Sequence, residues 1–256
     1  MLKNIVSAIK AYFKTFQLIS KLKLWKYFGI PVLISLLTAT AIGFIAWGLS
    51  DNIGAFISKI WFWEWGAETF RTISDVLGAL IIIAIGLILY KHIIMALSAP
   101  FMSPVSEKIE QHFLGTTHTH RNTTNASQLW RGIRINVRNL LLELLFTIPI
   151  LLLSLIPIVN IFTSVLLFLV QSYYAGFGNM DYTLERHFTY RESISFVKRN
   201  KGTALGNGIV FMAMLLIPVV GIVLVLPLSV TAASSETVKL LKESKQLKNA
   251  ETLQKK

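Results

Sequence analysis

Long apolar stretches alternate with short polar segments along the whole of this chain. Two of them, residues 29–49 and 76–97, are apolar for about the 20 residues that a helix needs to cross the hydrocarbon core of a bilayer. We therefore predict a full transmembrane helix in each. Pro31 falls in the first turn of the earlier helix, where proline is tolerated.

Two further apolar runs, 139–175 and 208–233, are interrupted near their middle by the same pattern. In each run, Leu-Ile-Pro is followed by two aliphatic residues and then by Asn or Gly, a combination that ends one helix and lets the chain turn back. The flanks are only about 10–18 residues long, short of the roughly 20 needed for a crossing. Both runs are therefore predicted to be re-entrant, half-spanning helix hairpins. The residues at their tips are Pro157, Asn160, Pro218 and Gly221.

Single crossings by these two runs are the alternative. Both termini would still share one side of the membrane, but the loop 180–203, with its five basic residues, would lie outside. That placement runs against the excess of Lys and Arg found in cytoplasmic loops. The run 139–175 is also too long for one crossing without severe tilt. Hairpins therefore explain the pattern better.

Residues 2–27 precede the first span, and 2–20 have the pattern of an amphipathic helix. At about 100° per residue, four lysines share one face and aromatic and aliphatic residues occupy the opposite one. Such a helix lies in the headgroup region of a membrane or packs on the protein's own surface, and the pattern leaves both open. The lysines are Lys3, Lys10, Lys14 and Lys21, opposite Ile5, Ile9, Tyr12, Phe13, Phe16 and Ile19.

Composition and charge support a membrane protein with a defined orientation. Only 15% of residues are charged, against roughly 25% in soluble domains. The net charge is +12, and all but two of the 25 basic residues lie in four segments that flank apolar runs, whereas 48–75 is acidic and rich in Trp. The positive-inside rule then predicts cytoplasmic termini and cytoplasmic long loops, with the lipid bilayer rather than nucleic acid as the partner. The basic segments are 1–27, 91–138, 180–203 and 236–256.

Several kinds of chemistry have no counterpart in the sequence. The chain has no cysteine, which excludes disulfides, thiolate metal sites and cysteine nucleophiles. It also has no phosphate-binding loop, no nucleophile elbow and no pair of carboxylates placed for acid–base work. His112, His118 and His120 lack a carboxylate or thiolate partner, so we predict no metal site. We expect neither a cofactor nor enzymatic activity.

One acidic residue, Glu143, stands inside an apolar run. A carboxylate at that depth is costly enough to suggest a function. The simpler interpretation, which we favour, is an interfacial Glu143 paired with Arg138 or Asn139. Arg131, Arg134 and Arg138 recur at helical spacing just before it and are predicted to form a cytoplasmic anchor.

Local patterns predict three further features of the polar segments. Ser103 followed by Pro104 predicts the start of a short helix over 104–114. Thr189 with Glu192 matches a capping box at the start of another helix. The small residues spaced over 202–206 are suited to close helix packing.

With this layout the chain resembles the bacterial sulfate permease family CysZ, within the wider etoposide-induced-protein domain family. The resemblance covers nearly the whole chain, and the short motifs occur in the family's order and spacing. They are the basic amphipathic helix, Ile30-Pro31, Ala99-Pro100-Phe101 followed by a helix with Glu107, Asp181-Tyr182 and the two Ile-Pro bends.

The resemblance implies an all-helical integral protein of the bacterial inner membrane, with two long spanning helices and half-spanning helix pairs, that assembles into homo-oligomers. It implies sulfate uptake for cysteine biosynthesis. Residues 1–240 would form one membrane domain, followed by a charged cytoplasmic tail over 241–256. In the family, a Gly-Leu-Arg-Arg-like string before the first span is associated with sulfate binding. The matching residues here are Lys23, Leu24, Trp25 and Lys26.

Two functions follow as hypotheses. In the first, the hairpins and the entrance of the first span line a path for a small anion such as sulfate, which Lys23 and Lys26 attract. In the second, the protein transports nothing, and its amphipathic helix and shallow hairpins shape lipid or hold a partner.

Overall fold

The computed structural model describes residues 1–58, 85–115, 124–154 and 159–254. Every regular element in these ranges is helical, and none is a strand, as the apolar pattern predicts. Two short 3-10 turns, Tyr12–Lys14 and Leu24–Tyr27, link the first three helices. The helices are α1 (Leu2–Ala11), α2 (Thr15–Lys21), α3 (Gly29–Ser58), α4 (described over Ile85–Leu97), α5 (Ala99–Leu114), α6 (Asn125–Leu153), α7 (Asn160–Leu184), α8 (Tyr190–Arg199), α9 (Lys201–Leu215), α10 (Pro218–Val223) and α11 (Val225–Gln254).

Three described helices are long and apolar enough to cross a membrane: Gly29–Leu49 within α3, and the whole of α6 and α7. A fourth candidate is the pair formed by α4 and α5, which passes the same test but bends by 67°. The chain is therefore a multi-pass membrane protein. The first predicted span agrees with α3, whereas only the last part of the second, 85–97, lies within the described residues.

The helix α5 begins earlier than the sequence predicts. It starts at Ala99 with Ser98 as its N-cap, and Pro104 lies inside the helix rather than at its first position. Pro100 occupies the first turn, where its missing N–H has no helical partner to lose. The predicted start at Ser103 was therefore wrong, because the earlier proline already satisfies the geometry of a helix start.

The helices on either side of the first predicted bend are longer than expected. The helix α6 ends at Leu153 and α7 begins at Asn160, while Pro157 lies outside the described residues. Residues 125–138 and 176–184 continue the two helices instead of forming loops. The residues after 175 are buried against neighbouring helices, whereas before 139 the buried residues are Gly132, Ile135 and Asn136. The predicted flanks of about 10–18 residues were therefore too short.

The second bend differs in its detail. The helix α9 ends at Leu215, and Pro218 opens the short helix α10. Gly221 lies inside α10 rather than ending a helix. A Cβ atom on Gly221 would lie 2.8 Å from the carbonyl oxygen of Leu215, so this glycine allows α10 to fold back closely onto the end of α9.

The N-terminal helices have three different faces. They combine the two alternatives left open above, a helix packed on the protein and a helix in contact with lipid headgroups. One face, which includes Ala8 and Ile19, is buried against the rest of the protein. A second face remains apolar and exposed, with Phe13 82% and Phe16 59% accessible. The four lysines of the predicted stripe form the third face and are exposed. Packing on the protein therefore leaves an apolar edge available for lipid.

The predicted spacing of small residues over 202–206 is a packing face. Gly202 and Gly206 lie against α1, where a Cβ atom on Gly206 would approach the carbonyl oxygen of Ile5 to 2.4 Å. On the neighbouring face of α9, Gly208 contacts the backbone of Ser172, and Ala204 contacts Gly176 of α7. Small residues thus bring α1, α9 and α7 into backbone contact.

The two ends of α6 and α7 have different surroundings. Near the bend, their large apolar side chains point outward, whereas every residue of α7 from Tyr174 to Leu184 is buried. This division assigns the parts of α6 and α7 near the bend to lipid and the C-terminal half of α7 to a protein core. The exposed residues are Leu141, Leu145, Phe146, Leu152, Ile161, Phe162 and Val165.

Candidate functional site

Three ionisable side chains meet in the interior between α4 and α6. Lys91 Nζ lies 2.6 Å from Glu143 Oε1, and His92 Nε2 lies 3.0 Å from Glu143 Oε2. The side chains of Lys91 and Glu143 have no exposed surface, and His92 is 3% exposed. We call Lys91, His92 and Glu143 the buried charge cluster. Burying charged side chains away from water is costly in free energy. In membrane helices, buried charges therefore persist where they serve transport or specific pairing.

The helix α6 carries Glu143 on a polar stripe that faces inward. Asn136, Asn139, Glu143 and Thr147 are spaced by three or four residues, which places them on one face, and all four are buried. Large apolar residues occupy the exposed face of the same helix. The sequence thus builds a helix that presents apolar side chains to lipid and polar ones to the interior.

The helices α7 and α9 also contact the buried charge cluster. Lys91 Nζ is 3.5 Å from the carbonyl oxygen of Gln171 and 3.9 Å from the sulfur of Met212. His92 Nδ1 is 3.3 Å from Asn136 Oδ1. The cluster therefore joins α4 and α6 to α7 and α9.

Polar atoms without a hydrogen-bond partner lie close to the cluster along the chain. Within the described ranges, they include Asn139 Nδ2 and the hydroxyls of Thr147 and Ser172. Asn139 and Thr147 stand one helical turn before and after Glu143, and Ser172 follows Gln171, whose carbonyl approaches Lys91. A buried donor without a partner carries a free-energy cost of about 1–3 kcal/mol, which a polar ligand would relieve.

The favoured interpretation of Glu143 as an interfacial residue paired with Arg138 or Asn139 was wrong. Arg138 instead donates to Asn139 Oδ1 at 2.9 Å, and its guanidinium lies 5.2 Å from the centre of the Phe177 ring. The partner of Glu143 comes from 52 positions earlier in the chain, on α4. The signal that could have indicated it is Lys91 itself, a second charge at the end of an apolar run.

A second ionic group ties α6 to α7 through Arg131 and Asp181. The guanidinium donates to both Asp181 oxygens at 2.9 Å and also to the carbonyl oxygen of Phe188 and the hydroxyl of Ser193. Arg134 lies 4.0 Å from the centre of the Tyr190 ring. The three arginines thus make contacts within the protein, and their predicted role as a cytoplasmic anchor stays a prediction.

A third group joins α5 to the end of α7. Arg186 donates to Glu110 Oε2 at 3.0 Å, and His187 Nε2 lies 2.6 Å from Glu110 Oε1. Arg186 also contacts the Ser106 hydroxyl at 2.7 Å and the Ser103 carbonyl oxygen at 3.2 Å. Both groups lie away from the bends, and their many hydrogen bonds suit them to holding helix ends together.

Glu185 is a buried carboxyl group beside these pairs. Its side chain has one oxygen without a hydrogen-bond partner. Burial, and next the negative charge of Asp181, raise the pKa of Glu185 to about 8, against the opposing charges of Arg186 and Arg131. The folded protein therefore keeps a proton on Glu185 that the unfolded chain releases near pH 4.5.

This difference predicts that stability falls as pH rises. Between the unfolded pKa near 4.5 and the folded pKa of about 8, the folded state binds more protons, so Glu185 lowers the free energy of unfolding by up to about 1.4 kcal/mol per pH unit. We expect Glu185→Gln to remove this pH-dependent decrease in the free energy of unfolding. Its melting temperature in detergent, relative to the unsubstituted protein, should rise steadily between pH 5 and pH 8. Parallel profiles for the two proteins would contradict the assignment.

The predicted anion string forms the turn between α2 and α3. Lys23 and Lys26 are exposed, whereas Leu24 is fully buried in the core and cannot touch an ion with its side chain. The Trp25 indole N–H donates to the Ser20 hydroxyl at 3.2 Å, and its ring packs edge-on against Phe16 and Phe28.

Lys23 has a left-handed backbone, with φ of 53°, the one such non-glycine residue in the described ranges. Glycine is the residue for which this conformation carries no steric penalty. Lys26 Nζ lies 5.3 Å from the centre of the Tyr27 ring. Of the four predicted residues, the two lysines alone present a free cationic group to solvent.

The predicted hairpin-tip residues do not lie together with the lysines of the turn between α2 and α3. Asn160 is exposed and accepts from Ser164 at 3.2 Å, Pro218 is exposed, and the carbonyl oxygen of Gly221 lies 3.3 Å from the Tyr90 hydroxyl. In the part of the chain that the structure describes, no hydrogen bond or ion pair joins these tip residues to Lys23 or Lys26.

The family-motif residues lie in the helical framework. Pro100 and Phe101 open α5, where Phe101 packs against the core. Glu107 is half-buried and accepts from Gln111 at 3.3 Å. Asp181 is the partner of Arg131 described above. No group of three or more metal-ligating side chains occurs among the described residues. Of the three histidines considered above, His118 and His120 lie outside those residues.

A comparison with protein families agrees with this architecture. The family model described as sulfate transporter CysZ/etoposide-induced protein 2.4 matches residues 11–225. A search of curated proteins finds no significant match.

Proposed function

Because the chain belongs to the sulfate transporter CysZ and etoposide-induced protein 2.4 family, we propose that it is a permease or channel for a small inorganic anion. Sulfate is the substrate we propose, taken up for cysteine biosynthesis. The protein would act as a homo-oligomer in the bacterial inner membrane, with both termini in the cytoplasm. The re-entrant geometry of 139–175 and 208–233 belongs to the same proposal.

The observation that carries the proposal is the buried charge cluster. A lysine and a glutamate with no exposed surface, in helices whose outer faces are apolar, are expensive to maintain and mark ion pathways in membrane proteins. Glu143 has two partners, one on each oxygen. Lys91 can therefore leave Glu143 for a passing anion while His92 continues to hold the carboxylate.

The neighbouring unpaired groups fit the same role. An oxyanion stripped of water needs several donors, and Lys91 offers a charge while Asn139, Thr147 and Ser172 offer neutral N–H and O–H groups. At the entrance, the exposed Lys23 and Lys26 would raise the local concentration of anions by electrostatic attraction. Leu24 and Trp25 would position the turn through their packing rather than bind the ion.

The test is uptake of radiolabelled sulfate by liposomes that contain the purified protein. We expect saturable uptake above that of empty liposomes. Changing Lys23 and Lys26 together to Ala should lower uptake several-fold at low sulfate and less at saturation, because attraction acts on capture. Unchanged uptake in this variant would remove both lysines from the path, and no uptake by folded protein would reject the proposal.

A second candidate function is a membrane scaffold that transports nothing. The exposed apolar edge at Phe13 and Phe16, beside the lysines of α1 and α2, favours it, since such an edge can wedge into one leaflet. Folded protein without uptake, together with a preference of residues 1–27 for strongly curved liposomes, would support the scaffold instead.

A further inference from the structure

We propose that the cavity between α2, α5 and α11 binds the phosphate group of an anionic glycerophospholipid. The cavity has a volume of about 420 Å³ and opens on the surface beside the N-terminal helices. This size lies within the roughly 300–1,000 Å³ typical of ligand pockets. The polar and aromatic side chains that line it include Lys14, Lys21, His112, Phe113, Ser235 and Lys239.

The charge of the cavity suits a phosphate. Lys14, Lys21 and Lys239 all line the cavity, and no carboxylate is among the lining residues. One lining lysine, Lys239, has an acidic partner: Glu236 pairs with it at 2.5 Å through one oxygen and accepts from Ser7 at 2.7 Å through the other. Lys14 and Lys21 have no such acidic partner among the described residues, so two positive charges remain uncompensated.

The position of the cavity favours a lipid over a soluble phosphate. A single turn separates α2 from Gly29, where the first candidate span begins. We therefore place the cavity near the lipid headgroups. Phe13 and Phe16 flank Lys14 along the chain and expose 82% and 59% of their surface, and Phe113 in the cavity wall is 40% exposed. Aromatic rings beside lysines hold a molecule with an anionic head and an apolar tail.

The experiment uses the full-length protein in detergent and counts bound phosphatidylglycerol by native mass spectrometry. Phosphatidylcholine and inorganic phosphate serve as comparison ligands. In the test variant, Lys14, Lys21 and Lys239 become Gln. In the matched control, three exposed lysines that do not line the cavity become Gln: Lys3 and Lys10 on α1, and Lys242 on α11.

We expect the protein and its control to bind phosphatidylglycerol selectively, and the test variant to bind it at least about tenfold more weakly. Equal loss in both variants, or no preference over phosphatidylcholine, would overturn the proposal. Inorganic phosphate that competes at equal concentration would assign the cavity to a soluble ligand and overturn the lipid. Sulfate uptake by the test variant should be unchanged. Lipid binding and sulfate uptake therefore test the cavity and the proposed function independently.

Discussion

Changing Lys91 to Met and Glu143 to Gln together should leave the protein folded and abolish sulfate uptake. The pair is fully buried, and replacing both charges removes the cost of desolvating them. Met fills the space of the lysine stem, and Gln still accepts a hydrogen bond from His92. What disappears is the buried cation that would hold the anion. We therefore expect uptake to fall at least about 100-fold, the loss that corresponds to about 2.7 kcal/mol.

Single variants separate folding from transport at this site. Glu143→Leu alone leaves Lys91 buried without its counter-charge, which should cost about 3–5 kcal/mol and yield little folded protein. The double variant should melt close to the unsubstituted protein in the same detergent. If it melts normally and still takes up sulfate at the normal rate, the buried charge cluster is structural and the proposed path through it is wrong.

Gly208→Ala should have the second large effect, on folding rather than on transport. A Cβ atom at this position would lie 1.6 Å from the carbonyl oxygen of Ser172, and one on Gly176 would lie 1.8 Å from that of Ala204. Backbone atoms cannot move aside as a flexible side chain does, so α7 and α9 must separate. The free energy of unfolding should fall by 3 kcal/mol or more, at or above the upper end of the roughly 1–3 kcal/mol seen for overpacked cores.

Thermal unfolding and size-exclusion profiles of the detergent-solubilised protein measure this effect. The matched control is Gly43→Ala in α3, where a Cβ atom would meet nothing within 4 Å. Alanine there should be neutral or stabilise slightly through its helix propensity. A Gly208→Ala variant that melts like the Gly43→Ala control would show that the contact between α7 and α9 is looser than described.

The helix α7 packs against α6, α9 and α11 and is central to the molecule. Its first half carries exposed apolar residues such as Ile161 and Phe162, and its second half is buried from Tyr174 onward. The buried half makes the glycine contacts with α9 and carries Asp181, which pairs with Arg131. One helix thus connects the lipid-facing bend to the ionic groups at the opposite ends.

Apolar and charge patterns were enough to predict the class of protein and several of its elements. The run 29–49 predicts the first span, the Leu-Ile-Pro strings predict where α6 and α9 end, and the capping box at Thr189 is present as predicted. These features depend on residues near one another in the chain. Hydrophobic length, proline and side-chain caps act within a few turns of helix, so sequence alone carries them.

Helix lengths around the first bend could not be predicted in the same way. Polar residues such as Asn136 and Asn179 resemble loop or interface residues in the sequence, yet both lie within continuous helices and are buried. Their helical state depends on neighbours that supply hydrogen bonds, as Asn207 does for Asn179 at 2.9 Å. Tertiary contacts therefore override the local apolar boundary.

By itself, the sequence determined that this protein is helical, lies in a membrane and turns at two Ile-Pro bends, because each of these properties depends on local composition. The tertiary structure alone decided that Glu143 meets Lys91 and His92, that Leu24 is in the core, and that lysines of the N-terminal segment and of α11 share a cavity. The reason is physical. Pairing of buried charges depends on which helices lie side by side, and residues tens of positions apart carry no local sign of that packing.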